Sequence, residues 1–212
     1  EPPYTLEDMA SDAIAVLDNY EIEQAHVIGR SMGGMITQLL ALNYSSRLKT
    51  ITLIYSSPAP SSANTKEPDL PGPSETFIAA ATPLPEGAAF ADQVAARVEL
   101  HRALAGSRHP FDAERARKLT VREMARARNY ASNGNHAIAV QNTAPWRDRL
   151  GEISLPTLVV HGTEDPILQL PHGEALAKEI SGAEMYVMDG VGHALPEPEW
   201  DGLIAKMLEH TS

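Results

Sequence analysis

A five-residue segment, Gly29-Arg30-Ser31-Met32-Gly33, lies where one hydrophobic pattern of this sequence ends and another begins. The preceding run, residues 25–28, is short and apolar with β-branched residues, which predicts a strand. Residues 32–42 follow with apolar positions at helical spacing. The segment matches G-x-S-x-G, in which a strained strand-to-helix turn exposes the serine hydroxyl and the flanking glycines remove clashing Cβ atoms. The sequence therefore predicts that Ser31 is exposed at a sharp turn.

The rest of the pattern predicts a mostly parallel sheet. Further apolar runs predict strands at 48–55, 157–161 and 184–188, and helical periodicity predicts helices at 5–19, 171–181 and 199–209. Thr5 with Asp8 three residues later is typical of a capped helix start. Strands that alternate with helices indicate an α/β fold with helices on both faces of the sheet.

Residues 58–150 differ in composition from the segments on either side. Seven of the 16 prolines lie between Pro58 and Pro85, which predicts a loop there. Residues 90–128 are rich in alanine and arginine, with apolar positions that predict helices. We therefore predict a core formed by residues 1–57 and 151–212, interrupted by a helical cap or lid at 58–150. Residues 97–128 contain nine Lys and Arg against four acidic residues, which favours either a solvated helix face or attraction of a carboxylate-bearing substrate.

Composition excludes several classes of function. A net charge of -11 argues against binding to nucleic acid or anionic lipid. The absence of cysteine excludes disulfides, thiolate metal sites and cysteine nucleophiles. No apolar run reaches the roughly 20 residues of a membrane helix, and the histidines show no metal-binding spacing. We expect a cytoplasmic protein with no metal and no organic cofactor.

A serine nucleophile requires a base and an acid that orients the base. Asp165 follows the strand predicted at 157–161, and His193 follows the strand predicted at 184–188, so both lie in loops at the same edge of the sheet. Glu164 competes with Asp165 for the role of the acid, whereas Asp189 is better interpreted as a surface residue. The remaining histidines of this region, His161 and His172, are expected to be structural and hydrogen-bonded.

The chain order of serine, aspartate and histidine resembles that of the α/β-hydrolases. The segments Gly162-Thr163-Glu164-Asp165-Pro166-Ile167, Pro171-His172-Gly173 and Gly192-His193-Ala194-Leu195-Pro196 are similar to the aclacinomycin-type methylesterase branch. This resemblance implies an α/β-hydrolase fold with Ser31 as nucleophile, His193 as base, Asp165 as its partner and the Met32 N–H as an oxyanion donor. It also implies cleavage of a carboxylic ester, for example a methyl ester of a small or polyketide-like molecule, through an acyl-enzyme.

Two expectations depend on that resemblance. The family has further strands before the helix at 5–19, and one of their loops supplies a second oxyanion donor. The present residues are therefore expected to form the C-terminal portion of the fold, completed by an N-terminal segment of the same protein or by a separate chain. Alternatives to an esterase are a C–C bond hydrolase with the same three residues, a perhydrolase-like side activity, a ligand-binding protein without turnover, and an inactive fragment.

Overall fold

The computed structural model describes residues 4–58, 70–85, 87–129, 132 and 134–212. In these ranges four strands form one parallel sheet in the order β1-β2-β3-β4. Their bounds are Ala25–Arg30 for β1, Leu48–Ile54 for β2, Thr157–Gly162 for β3 and Glu184–Met188 for β4. Because all four strands run in one direction, the residues that directly follow them meet at one edge of the sheet. The parallel sheet predicted from the sequence is confirmed.

Helices pack on both faces of this sheet. Helices α1 (Leu6–Asn19) and α2 (Met32–Asn43) contribute to the larger core cluster, with α7 (Leu170–Glu179). Helix α8 (Trp200–His210) packs in the second cluster, on the opposite face. The buried strand β3 divides its residues between the two, since Val159 belongs to the first cluster and its neighbours Leu158 and Val160 to the second.

The start of α1 shows why its sequence signal was strong. The Thr5 side chain accepts a hydrogen bond from the Asp8 backbone N–H, at 3.2 Å, and the Asp8 carboxylate accepts one from the Thr5 N–H, at 2.8 Å. This reciprocal capping satisfies two backbone donors that a helix start otherwise leaves free. The predicted cap is therefore confirmed.

Four helices lie between β2 and β3 in the chain, within the described residues. They are α3 (Glu75–Ala80), α4 (Phe90–Ala103), α5 (Ala113–Arg126) and α6 (Asn135–Asn142). Helices α4 and α5 share a small cluster formed by Val94, Val98 and Ala116. In contrast, Ala139 of α6 and Trp146 pack in the larger core of the sheet, where the Trp146 Nε1–H donates to Gln38 Oε1 at 2.9 Å. The division into segments 1–57, 58–150 and 151–212 stays a prediction.

The prediction of a continuous loop from Pro58 to Pro85 is wrong at one place. Helix α3 forms at Glu75–Ala80, in a stretch without proline, and the Ser74 hydroxyl caps it by accepting from the Phe77 N–H at 3.2 Å. A helix of six residues is too short to give a clear periodic signal. Residues 59–69 of the predicted loop lie outside the described residues.

Strand β1 lies at an edge of the described sheet. Its described pairing is with β2, and Ile28 near its end is 54% exposed. Apolar residues of the adjoining segment are exposed as well, including Tyr20 at 71%. Long apolar edges are usually covered in native proteins. In the described ranges, no helix is both long enough and apolar enough to cross a membrane.

Candidate active site

Ser31 stands between β1 and α2 in a strained backbone conformation. Its φ of 54° and ψ of -121° lie in a region that residues with a side chain rarely adopt. The surrounding residues hold it there, because the Ser31 N–H donates to Ile54 O at 2.8 Å and the Ser31 carbonyl accepts from Ser56 Oγ at 3.0 Å. The sharp turn predicted from G-x-S-x-G is therefore present, and strain of this kind is typical of functional sites.

The glycines of this turn have different roles from those predicted. A Cβ on Gly29 would lie 2.2 Å from Gly33 O, and one on Gly34 would lie 2.5 Å from the Ser56 side chain. A Cβ on Gly33 would meet no heavy atom within 4 Å. The prediction that both flanking glycines prevent a clash is thus wrong for Gly33. A side chain at that position, at the start of α2, would extend into open space. The second close approach is at Gly34, outside the five-residue motif.

Asp165 and His193 form a buried pair at the same edge of the sheet. The His193 Nδ1 lies 2.6 Å from Asp165 Oδ2, and both residues are less than 5% exposed. The other carboxylate oxygen, Oδ1, accepts the N–H groups of Ile167 and Leu168, each at 2.9 Å. These bonds fix the carboxylate, which leaves Oδ2 to orient the imidazole and favours the Nδ1–H tautomer.

The turn at residues 29–33 and residues 189–196, which we call the histidine loop, are in direct contact. The Arg30 guanidinium donates to the main-chain carbonyl of His193, so the neighbour of Ser31 is tied to the residue predicted as base. Among the described residues, no hydrogen bond joins the Ser31 hydroxyl to His193. Serine–histidine contacts of this type are often long in unliganded enzymes and shorten when substrate binds. The Met32 N–H is the first of α2, and such a group has no partner within its own helix.

Two residues of the site were not singled out in the sequence. Tyr55 directly follows β2, is fully buried and packs its ring 5.7 Å from that of His193. Burial raises the pKa of the Tyr55 hydroxyl well above its usual range, and the hydroxyl donates to Met188 Sδ at 3.2 Å. Arg30 is the second. The only available signal for Tyr55 was its place at the end of the strand predicted at 48–55, close to the edge where Ser31 lies.

The competing residues have other partners. The Glu164 carboxylate accepts from the Ser107 N–H at 2.7 Å and the Ser107 hydroxyl at 2.6 Å, and Asp189 Oδ1 accepts from the Thr163 hydroxyl at 3.3 Å. His172 Nδ1 lies 2.9 Å from Ser57 Oγ. The structure therefore brings Asp165, rather than either competing acid, to His193.

Residues 104–109, which we call the strap, cross both loops of the site. The Gly192 N–H donates to Ala105 O at 3.2 Å, and the Arg108 N–H donates to Gly190 O at 2.9 Å. There is no space for a side chain at the crossing, because a Cβ on Gly106 would lie 2.5 Å from Gly190 O and one on Gly192 would lie 2.3 Å from Leu104 O. Beyond the crossing, the Arg108 Nε and the His109 ring bind the Glu199 carboxylate, each at 2.6 Å.

His161 supports the loop that carries Asp165. Its Nε2 lies 2.6 Å from Leu168 O and 3.7 Å from Asp165 Oδ2, while its Nδ1 has no hydrogen-bond partner in the described residues. Gly173 packs on the ring so closely that a Cβ there would lie 2.6 Å from it. Burial is the largest effect on this ring and lowers the pKa of His161 from its ordinary value of 6.5, against the opposing effects of Leu168 and Asp165.

This lowered pKa predicts loss of stability in acid. Below about pH 6.5 the unfolded chain binds a proton that the buried His161 ring does not accept, so the free energy of unfolding falls as the pH decreases. We expect His161→Gln to show a smaller decrease than the parent chain between about pH 7 and about pH 5, measured by urea unfolding. His101, whose pKa burial also lowers, is present in both proteins, so the difference isolates His161. Identical pH profiles would contradict this assignment.

Two cavities border the site. One, of about 820 Å³, lies between helices α3 and α4 and the loop that carries Asp165. The other, of about 670 Å³, lies between α4, α5 and residues 194–200, with Phe111, Leu195 and Trp200 among its apolar lining residues. Both volumes suit a small organic molecule. Across the described ranges, no group of three or more His, Asp or Glu side chains is placed to hold a metal ion.

A family model and several curated proteins are similar to this chain. A family model described as alpha/beta hydrolase fold matches residues 1–199. The chain is 32% identical to rhodomycin D methylesterase DnrP of Streptomyces peucetius, over 99% of this chain and 74% of that protein. It is 30% identical to 2-hydroxymuconate semialdehyde hydrolase of Pseudomonas sp. strain CF600, over 90% of this chain and 62% of that protein.

The solved structures agree on the fold. A meta-cleavage product hydrolase of Pseudomonas fluorescens IP01 superposes with a TM-score of 0.72 at 20% identity, over 99% of this chain and 74% of that one.

Proposed function

Since this chain belongs to the α/β-hydrolase fold family, we propose that it hydrolyses a carboxylic ester with Ser31 as nucleophile, His193 as general base and Asp165 as its partner. The observation that supports this most is the buried Asp165–His193 pair, 2.6 Å long, in contact with the strained turn that holds Ser31. Buried aspartates are rarely found without a partner, and an acid that orients a base beside an exposed nucleophile is the geometry expected at an acyl-transfer site.

The proposed reaction has two halves. Ser31 Oγ attacks the ester carbonyl as His193 Nε2 takes its proton, and Asp165 stabilises the imidazolium through Nδ1–H. The Met32 N–H donates to the oxyanion that forms. His193 then gives the proton to the leaving alcohol as the C–O bond breaks, which leaves an acyl-Ser31 ester. Water, deprotonated by His193, attacks this ester and releases the carboxylic acid and the free serine.

We propose a methyl ester of a small or polyketide-like molecule as the substrate. Support comes from the relative named as a rhodomycin D methylesterase and from the apolar lining of the cavity beside residues 194–200. Methanol is a small leaving group, so binding energy must come from the acyl portion, for which a cavity of about 670 Å³ offers room.

A C–C bond hydrolase is the second candidate. The relative named as a 2-hydroxymuconate semialdehyde hydrolase favours it, as does the turn sequence Ser31-Met32-Gly33-Gly34, because such an enzyme can use the same three residues. Hydrolysis of a vinylogous diketone with no hydrolysis of methyl esters would support this candidate and exclude the esterase.

The open edge of β1 supports a further proposal. We propose that a strand outside the described residues pairs with β1 and covers Ile28, which is 54% exposed, and that its segment supplies the second oxyanion donor. That segment can belong to the same protein or to a separate chain.

A fluorophosphonate probe tests the nucleophile. We expect stoichiometric labelling at Ser31, because a phosphonylated serine mimics the tetrahedral intermediate of acyl transfer. Intact-mass spectrometry of the natively isolated protein reads the label and the polypeptides present in the same spectrum. Ser31→Ala should abolish the label, whereas Ser46→Ala, at an exposed position away from the site, should keep it. A protein that never labels, or labels equally in Ser31→Ala, would contradict the proposal.

A further inference from the structure

Tyr55 is a second residue of the site with a strained main chain. Its φ is 49°, in the left-handed region that a bulky residue rarely adopts, and the φ of Ser31 is 54°. These two residues directly follow the adjacent strands β2 and β1. Because such strain costs free energy, it persists only where surrounding contacts fix the backbone. The contacts of Tyr55 therefore indicate what this conformation secures.

The bend at Tyr55 allows both of its chain neighbours to bind the main chain of Ser31. Before the bend, the Ile54 carbonyl accepts the Ser31 N–H at 2.8 Å. After the bend, the Ser56 hydroxyl donates to the Ser31 carbonyl at 3.0 Å. The bend is itself anchored to the sheet, because the Tyr55 N–H donates to the Val160 carbonyl at 2.8 Å. The chain around Tyr55 therefore contacts both the N–H and the carbonyl of the proposed nucleophile.

The ring of Tyr55 packs against the other half of the site. The residue is fully buried, and its ring centroid lies 5.7 Å from that of His193 and 6.0 Å from that of His161. Both separations fall in the range of aromatic rings that pack favourably. The Asp165 carboxylate approaches the same two histidines, since its Oδ2 lies 2.6 Å from His193 Nδ1 and 3.7 Å from His161 Nε2. A buried carboxylate and a buried aromatic ring therefore both contact the imidazole of His193.

The hydroxyl of Tyr55 has a different partner. It donates to Met188 Sδ at 3.2 Å, and Met188 is the last residue of β4. Burial raises the pKa of this hydroxyl well above its usual range, so the group stays protonated and neutral. We therefore attribute the contact with His193 to the ring of Tyr55 rather than to its hydroxyl.

We propose that Tyr55 is a positioning residue that joins the two halves of the site. Its main chain holds the turn at Ser31, and its ring holds the imidazole of His193 against Asp165. An imidazole that rotates away from this position no longer presents Nε2 to the serine, and small misplacements of reacting groups cost large factors in rate. This inference rests on the proposed ester hydrolysis for the roles of Ser31 and His193, whereas the packing of the ring can be measured without turnover.

Substitutions of Tyr55 separate the ring from the hydroxyl. Tyr55→Phe keeps the ring and loses only a bond to a weak acceptor, so kcat for p-nitrophenyl butyrate should stay within about 3-fold of the parent value. Tyr55→Leu loses the ring, so kcat should fall by about 10- to 100-fold. KM should change by less than about 3-fold in both variants, because the misplaced group acts in the reaction rather than in binding. Tyr55→Met, which fills more of the space, replaces Tyr55→Leu if the latter does not fold.

Leu203→Ala is the matched control for a loss of packing. Leu203 belongs to the same core cluster as Tyr55 but lies on α8, and removal of a buried leucine side chain leaves a destabilising cavity. Urea unfolding should show a lower midpoint than the parent for both Leu203→Ala and Tyr55→Leu, whereas only Tyr55→Leu should lose kcat. A comparable loss of kcat in Leu203→Ala or in Tyr55→Phe would overturn the assignment to the ring.

The Nδ1–H proton of His193 reports the same contact without turnover. A proton in a hydrogen bond as short as 2.6 Å resonates far downfield in the NMR spectrum, and exchange with water removes the signal when the pair opens. We expect this signal in Ser31→Ala, where its absence after addition of His193→Gln identifies it. It should persist when Tyr55→Phe or Leu203→Ala is added to Ser31→Ala, and Tyr55→Leu should broaden it beyond detection.

This measurement separates the two proposals. A signal that persists with Tyr55→Leu would overturn the positioning role whatever the chain hydrolyses. A signal already absent from Ser31→Ala would overturn it as well, because the imidazole would then not be held. Loss of the signal with Tyr55→Leu, in a chain whose parent cleaves no ester, would support the packing role of the ring and contradict the proposed function.

Discussion

Asp165→Asn is expected to lower kcat for ester hydrolysis by about 10⁴-fold while the chain stays folded. In the parent chain the Ile167 and Leu168 N–H groups donate to Asp165 Oδ1, each at 2.9 Å. The amide oxygen of the variant can still accept both hydrogen bonds, so the loop keeps its support. The amide nitrogen then faces His193 and donates to Nδ1. This places the imidazole proton on Nε2, which can no longer take the proton of Ser31.

The control for this variant is Asp189→Asn, four residues before His193 in the chain. Its carboxylate bonds to Thr163 at 3.3 Å rather than to the imidazole, so kcat should stay within a few-fold of the parent value. Steady-state kinetics on an activated ester, with circular dichroism of both variants, makes the comparison. A small effect of Asp165→Asn, or an equally large effect of Asp189→Asn, would show that the acid has been assigned to the wrong residue.

Gly29→Ala is expected to destabilise the chain by about 3 kcal/mol or more and to abolish activity. The new Cβ would lie 2.2 Å from Gly33 O and 2.3 Å from Thr37 Oγ1. The first of these is a backbone atom in the opening turn of α2, which cannot move without displacing Ser31. Relief of the clash therefore disrupts the turn on which the proposed nucleophile depends.

Gly33→Ala provides the opposite expectation within the same motif. Its Cβ would meet no heavy atom within 4 Å, and alanine favours a helical position over glycine by about 1 kcal/mol. Urea unfolding should therefore show equal or higher stability for Gly33→Ala and a large loss for Gly29→Ala. Similar losses in both variants would contradict the geometry of the turn.

The local sequence pattern was sufficient to predict most of the sheet and the order of the proposed site residues along the chain. Strand β4 has the bounds 184–188 that its apolar run predicts, and β1 and α2 meet at Ser31 as the motif requires. Because the strands are parallel, the residues after β3 and β4 lie at the same end of the sheet as the residue after β1. Strand order alone left Glu164 as an alternative to Asp165, and the resemblance to the α/β-hydrolases favoured Asp165.

The parts that were not predicted depend on contacts distant in the chain. Helix α3 is short and flanked by prolines, so its side-chain pattern carries little information. The role of Arg30 depends on a contact with His193, and that of Tyr55 on packing against the same ring. Nothing in the spacing of residues 104–109 indicates that they cross the histidine loop. Such contacts are set by how separate elements pack, which periodicity does not encode.

The strap has a mechanical consequence for substrate entry. Since Ala105 and Arg108 share backbone hydrogen bonds with Gly192 and Gly190, these residues and the histidine loop move as one body. Any movement of α4 and α5 relative to the sheet must therefore bend the chain outside residues 104–108, because bending within them would displace His193. His193, the proposed base, thus keeps its contact with Asp165 when these helices move, and the reaction centre does not have to be reassembled afterwards.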